Sequence, residues 1–149
     1  MDNKKQAMHL DKRKAIIVDV DGTISHRAGP FPRDPYDMTR VEEDVYDPII
    51  GDIVQRYFDE FTIIVVSART EEARQGTINF LEKNGFKFDV IYFRANGDYR
   101  RDSEVKTEIY LENIEPHYDV RFVLDDRNQT VRAWRTLGLK TLQVAEGDF

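Results

Sequence analysis

Cysteine is absent from all 149 residues, which excludes a disulfide framework, a thiol nucleophile and a cysteine-ligated zinc. Histidine is scarce as well. His9, His26 and His117 stand far apart with no metal-ligand spacing, so no imidazole site is inferred. No apolar run approaches the roughly 20 residues that cross a bilayer. The opening MDNKKQAMHLDKRK carries basic residues without an apolar stretch, so it does not read as a secretory signal. Positive charge is in deficit, 22 Lys and Arg against 28 Asp and Glu, for a net charge of −6. That deficit argues against a broad basic face that coats long nucleic acid, and it leaves room for a site gripping one phosphate or one strand end.

The length and the 40% hydrophobic, 34% charged composition fit one globular domain with a sizeable core. Residues 1–13 read as a charged tail and 14–149 as the domain. Short apolar runs alternate with helical patterns. The strands are expected at Ala15–Val20, Thr62–Val66, Phe88–Phe93, Val120–Leu124 and Lys140–Val144. Such continuous apolar strands belong to a sheet covered on both faces.

The helices are expected at PIIGDIVQRYFDEF, capped by Asp47 with Pro48 in its first turn, and at TEEARQGTINFLEKNG, capped by Thr70 and stopped at Asn84-Gly85. Two more run over Asp102–Glu115 and Asn128–Leu137. Trp134 fits the apolar face of the last. The alternation implies an α/β fold with five mostly parallel strands, right-handed crossovers and helices on both faces. One connection is too long for an ordinary loop. Residues 25–47 leave the end of the first strand with three early prolines and a possible short helix over Asp37–Val45, and read as a small lid.

The chemistry gathers at strand ends. In AIIVDVDGT the first strand runs into Asp19 and Asp21, two carboxylates whose repulsion and desolvation are costly without a cation or proton between them. VVSAR ends the second strand on Ser67 and Arg69, RFVLDD ends another on Asp125 and Asp126, and Lys106 lies on the helix before it. In a parallel sheet these ends share one edge, where ligands bind. Aspartates without histidine or cysteine form a hard oxygen site suited to magnesium. Serine, lysine and arginine beside it offer donors and charge to a phosphoryl group. One aspartate can attack phosphorus, giving an aspartyl-phosphate, while a second protonates the leaving alkoxide and then activates water. Asp126 and Asp102 also suit helix caps. In YFRANGDYRR, Tyr99 with Arg94, Arg100 and Arg101 reads either as a strand-binding lip or as a solvated loop.

DVDGT, VVSAR, the lysine and LDD, in this order, resemble the four signature regions of haloacid-dehalogenase-like phosphohydrolases. The resemblance implies a Rossmann-like HAD fold, with Asp19 as nucleophile and Asp21 as general acid/base. It also implies phosphate binding by Ser67 and Lys106, and magnesium on Asp19, Asp125, Asp126 and the Asp21 backbone carbonyl. More narrowly, RDPYDMTRVEEDVYDP, VVSART, GDYRRDSEVKTEI and the stretch from PHYDVRFVLDD to Phe149 resemble the phosphatase domain of bacteriophage polynucleotide kinase–phosphatase, from about Arg13 onward. This implies removal of 3′-phosphate, and of 2′,3′-cyclic phosphate, from DNA or RNA ends or nucleotides. It adds Arg33, Arg69 and Asp102 as substrate-binding residues, and a cytoplasmic setting, that of a host cell if the origin is a phage.

No GxxxxGK[ST] phosphate loop occurs in these residues, so the 5′-kinase reaction is expected to be absent. A separate kinase or ligase chain is an expected partner. The competing readings are a phosphatase for small phosphomonoesters, a phospho-accepting receiver domain, and a binding module that has lost its chemistry. In receivers the acidic pair precedes the acceptor, the reverse of the order here.

Overall fold

The structure is a computed structural model that describes residues 12–149. Most of the charged segment read as a tail lies outside the described residues, and Arg13 opens the first strand. The main sheet is formed by β1 (Arg13–Val18), β4 (Thr62–Thr70), β5 (Val90–Arg94), β6 (Tyr118–Asp125) and β7 (Thr141–Gln143). Their order is β5-β4-β1-β6-β7, and every pair is parallel. The fold is the expected α/β arrangement.

Alternation along the strands divides the core in two. Ile16, Val18, Ile63 and Val65 point to one face, where they meet Ile50 and Val54 of α1 (Pro48–Gln55) and Phe80 and Leu81 of α2 (Arg74–Lys83). Ala15, Ile17, Ile64 and Val66 point to the other. There they meet Val105 and Ile109 of α3 (Asp102–Ile109) and Trp134 of α4 (Asn128–Thr136). Each fully buried branched side chain contributes roughly 1.5–3 kcal/mol. The central strand β1 is therefore the best-anchored element, and it delivers Asp19.

Several boundaries differ from the sequence reading, for physical reasons. β1 stops at Val18, because the amides of Thr23, Ile24 and Ser25 all turn back onto the Val20 carbonyl. Asp19 still bonds through its amide to the Leu124 carbonyl at 3.0 Å. β4 runs on through Ser67 and Arg69 to Thr70, but its pairing with β5 slips between Val66 and Thr70. Such a bulge re-aims side chains locally. α1 ends at Gln55 and not at Phe61, and Ile49 and Ile53 of its apolar stripe face outward. Thr70 gives no side-chain cap. Its hydroxyl bonds Glu72, and the chain makes a short 3-10 turn over Glu71–Ala73 before α2 begins. α3 relaxes into a wider π-type turn over Tyr110–Ile114.

Residues 25–47 form a small excursion closed at its base. β2 (Ser25–His26) and β3 (Val45–Tyr46) pair antiparallel, and His26 meets Asp47 at 2.8 Å. Inside it, Met38–Glu43 makes the short helical turn, capped by the Asp37 carboxylate on the Thr39 amide.

Candidate active site

Strand ends and the turn after β1 bring the predicted residues to one edge. Lys106, buried on α3, donates from Nζ to Asp19 Oδ1 at 2.7 Å and to Asp125 Oδ2 at 3.0 Å. Asp19, Asp125 and Asp126 each offer a carboxylate oxygen, and these oxygens lie within 4.8 Å of one another. The donor set is all oxygen and buried, a grouping compatible with a divalent cation of the hard type. Burial, the Asp125 charge and the Asp126 charge push the Asp19 carboxyl well above its ordinary value, against the pull of Lys106. Burial also lifts Asp126. Three crowded carboxylates with one ammonium leave negative charge uncompensated, and a divalent cation would supply the balance.

Asp125 is the best-supported member. Its Oδ1 accepts from the Asp126 and Arg127 amides at 2.8 and 3.2 Å and from the Thr130 hydroxyl at 2.9 Å. Its Oδ2 accepts from the Trp134 indole Nε1 at 3.0 Å as well as from Lys106. Burial raises this carboxyl, but Lys106 and the Trp134 bond reverse the effect and hold it below the ordinary range. Trp134 does pack in the core as expected, and its polar edge serves the site. The Thr23 hydroxyl donates to Asp19 at 3.0 Å, reaching Asp126 at 3.4 Å. Gly22 makes this approach possible. Its φ is +83°, and a Cβ there would meet Asp126 Oδ2 at 2.1 Å.

Asp21 stands outside the carboxylate cluster, with its side chain 50% exposed. Arg69 holds it bidentately, Nε to Oδ2 at 3.0 Å and Nη2 to Oδ1 at 2.8 Å, and Arg33 reaches Oδ1 at 3.2 Å. Desolvation raises the Asp21 carboxyl, but the Arg69 guanidinium and its hydrogen bonds, with Arg33, outweigh it and hold it low. Ser67 is buried, and its hydroxyl accepts from the Arg69 amide at 3.1 Å. Asp102 lies apart from the cluster. It bridges Arg94 and Arg127, and neither of its oxygens caps α3.

Asp44 was not singled out by the sequence reading. This buried carboxylate accepts from Arg33 at 2.9 and 3.0 Å, from Arg69 at 2.8 Å and from the Ser25 hydroxyl at 2.9 Å. It ties the excursion to both arginines that hold Asp21. Nothing in the run VEEDVY distinguishes it from its acidic neighbours. Trp134 was more accessible to inference, because Thr130 and Trp134 stand four apart on a helix that follows LDD. Arg94, read as part of a surface stretch, is buried and donates to the Ala68, Asp98 and Arg100 carbonyls.

A parallel sheet whose central strand ends on such an aspartate, with lysine and a second acidic strand end beside it, defines a phosphohydrolase of the haloacid-dehalogenase superfamily. Residues 13–149 match the family described as the polynucleotide kinase PNKP phosphatase domain, and the chain belongs to that family. Among curated proteins it is 29% identical over 136 residues to a putative bifunctional polynucleotide kinase/RNA ligase of Autographa californica nuclear polyhedrosis virus, covering 87% of this chain and 19% of that protein. Among solved structures it is similar to a chain of the Pnkp1/Rnl/Hen1 RNA repair complex. That match has a TM-score of 0.88 and 37% identity, over 93% of this chain and 44% of the other. A haloacid dehalogenase-like hydrolase from Streptococcus pneumoniae shares the fold, with a TM-score of 0.58 and 16% identity over 87% of this chain and 83% of that one. The chain thus spans about a fifth of its curated relative and under half of the repair-complex chain. Among the described residues, no helix is long and apolar enough to cross a membrane.

Proposed function

We propose that this chain removes 3′-phosphate groups, including those left by cyclic phosphates, from the ends of DNA or RNA strands or from nucleotides. Residues 14–149 act as one phosphatase domain, and 25–47 serve as its lid. The observation that carries the reading is the separation of Asp19 from Asp21. One carboxylate is buried against Lys106, and the other is half exposed and clamped by arginines. In the metal-free chain their proton affinities run opposite to the working state, Asp19 high and Asp21 low, and a divalent cation on Asp19 would favour its ionised, attacking form.

In the first step an Asp19 oxygen forms a bond to phosphorus as the bond from phosphorus to the 3′-oxygen breaks. The departing oxygen takes a proton from Asp21. Resting Asp21 is held ionised by Arg69 and Arg33. An arriving phosphate places like charge beside it, raises its proton affinity and draws in the proton it will donate. In the second step Asp21 takes a proton from water as that water attacks the aspartyl-phosphate, releasing inorganic phosphate and restoring Asp19. Ser67 and Lys106 hold the phosphoryl oxygens, Arg69 and Arg33 position Asp21 against the leaving oxygen, and Asp102 fixes the arginines beside it. Magnesium, held by Asp19, Asp125, Asp126 and the Asp21 carbonyl, would neutralise the charge on the transferring group.

The setting is a reducing cytoplasm, and a kinase or ligase acting on the same ends is the natural partner. The similar chain in the RNA repair complex supports that pairing. A panel of 3′-phosphate, 5′-phosphate and cyclic-phosphate ends on DNA and RNA, run beside sugar phosphates, tests the reading. Fastest turnover is expected on 3′-phosphate ends. Faster turnover of sugar phosphates would replace it with a phosphatase for small metabolites.

A further inference from the structure

Aromatic side chains normally hide at least one face, yet Phe31, Tyr36 and Tyr99 are 84%, 89% and 95% exposed. Exposure of this kind on a mobile loop would mean little. Here the loops are fastened, and one arginine for each, Arg33 and Arg94, is a buried part of the active-site edge. Arg33, whose Nη2 reaches Asp21, donates through Nη1 to the Asp34 and Pro35 carbonyls at 3.2 and 3.1 Å. Tyr36 is the next residue, and its amide is fixed on Asp34 Oδ1 at 2.8 Å. Arg27 holds the Arg33 carbonyl at 3.0 Å, and Arg40 holds the Phe31 carbonyl at 3.0 Å. Pro30, Pro32 and Pro35 restrict the backbone between these points.

The second loop is built the same way. Arg94 donates to the carbonyls on both sides of Tyr99, those of Asp98 and Arg100, at 3.1 and 2.6 Å. Its Nε donates to the Ala68 carbonyl at 2.8 Å, between Ser67 and Arg69, and its Nη2 pairs with Asp102. The backbone preceding Tyr36 is therefore tied through Arg33 to the carboxylate assigned to protonate the leaving oxygen, and the backbone flanking Tyr99 is tied through Arg94 to the Ala68 carbonyl, next to the serine assigned to the phosphate.

We infer that Tyr36 and Tyr99 are nucleobase-stacking platforms at the mouth of the site, with Tyr36 receiving the base of the terminal, 3′-phosphorylated nucleotide and Tyr99 a base further along a single strand. This rests on the function proposed above, and it specifies how the nucleic acid would be held. In that reading Asp21 lies against the 3′-oxygen, so the terminal nucleoside projects toward the residues Arg33 secures. A base stacks on an aromatic ring without sequence preference, and loop backbone held in place beforehand loses little freedom on binding. A net charge of −6 leaves little general attraction for the strand, so stacking would carry much of its affinity.

The test compares kcat/KM for a 3′-phosphorylated oligonucleotide with that for acetyl phosphate, which has no ring to stack. Tyr36→Ala and Tyr99→Ala should each lower the oligonucleotide-to-acetyl phosphate ratio by about tenfold, within the range known for loss of one stacked base. Tyr36→Phe and Tyr99→Phe should restore it. An oligonucleotide with an abasic terminal residue should lose the same factor with the unaltered protein and nothing further with Tyr36→Ala, since the two changes remove one contact. Ratios within twofold of the unaltered protein, or equal losses on both substrates, would overturn the inference. If the unaltered protein hydrolyses acetyl phosphate but no 3′-phosphorylated end, the proposed function itself fails.

Discussion

Asp44→Asn tests whether the buried ion network around Asp21 carries stability and catalysis together. The side chain of Asp44 is 2% exposed, and its partners Arg33 and Arg69 are 2% and 1% exposed. The carboxylate takes three charge-assisted bonds from these guanidiniums and one from Ser25. Breaking a buried pair by removing one partner costs roughly 3–5 kcal/mol, because the other charge is left uncompensated. Asparagine keeps the volume and one acceptor, and Asp21 remains as a second anion, so the lower end applies, about 3 kcal/mol. For a domain of this size roughly 2–4 °C is lost per kcal/mol, which places the expected fall in Tm near 10 °C. The two arginines, having lost their fixed partner, would shift onto Asp21 or into solvent and misplace the proposed acid/base. kcat on a 3′-phosphorylated oligonucleotide should therefore fall by about tenfold or more with KM little changed. Circular dichroism melts and steady-state phosphate release read the two effects. A Tm within 2 °C of the unaltered protein and an unchanged kcat would refute the reasoning.

Asp19→Asn should abolish turnover while Tm in metal-free buffer stays level or rises, because the charge removed is one that burial and Asp125 disfavour; retained activity would overturn the nucleophile assignment. Asp19 and Asp126 sit above their ordinary 3.8, so in EDTA their ionisation costs stability progressively as pH rises past that value. Asp21, held low, contributes stability that is complete above 3.8 and is lost as pH falls through its lowered folded value. The Tm gained on adding magnesium should accordingly be small near pH 4 and grow toward pH 7, and a gain independent of pH would contradict the charge assignment. Gly22→Ala forces a methyl to 2.1 Å from Asp126 Oδ2 in a left-handed backbone, and should weaken magnesium binding, measured by titration calorimetry, by at least tenfold.

The strand ends were legible because a buried strand that runs into DVD or LDD has no packing reason to do so. The parallel sheet then sends those ends to one edge. What could not be read is what depends on one side chain finding another across the fold. Asp44 is chemically identical to the carboxylates around it until β2 and β3 pair and press it against Arg33 and Arg69. The outward turn of Ile49 and Ile53 is of the same kind, since periodicity reports a stripe and not how much of it a neighbour covers. Thr70 lost its capping role to competition, its hydroxyl preferring the Glu72 side chain two residues on.

Trp134 is the one tryptophan in the sequence, and its indole nitrogen is bonded to Asp125 at the bottom of the carboxylate cluster. Tryptophan emission from these 149 residues therefore originates a single hydrogen bond away from the proposed magnesium ligand. Charge arriving at that carboxylate would alter the field across the ring, so these residues would carry their own optical gauge of cation occupancy, with no label and no second indole among them.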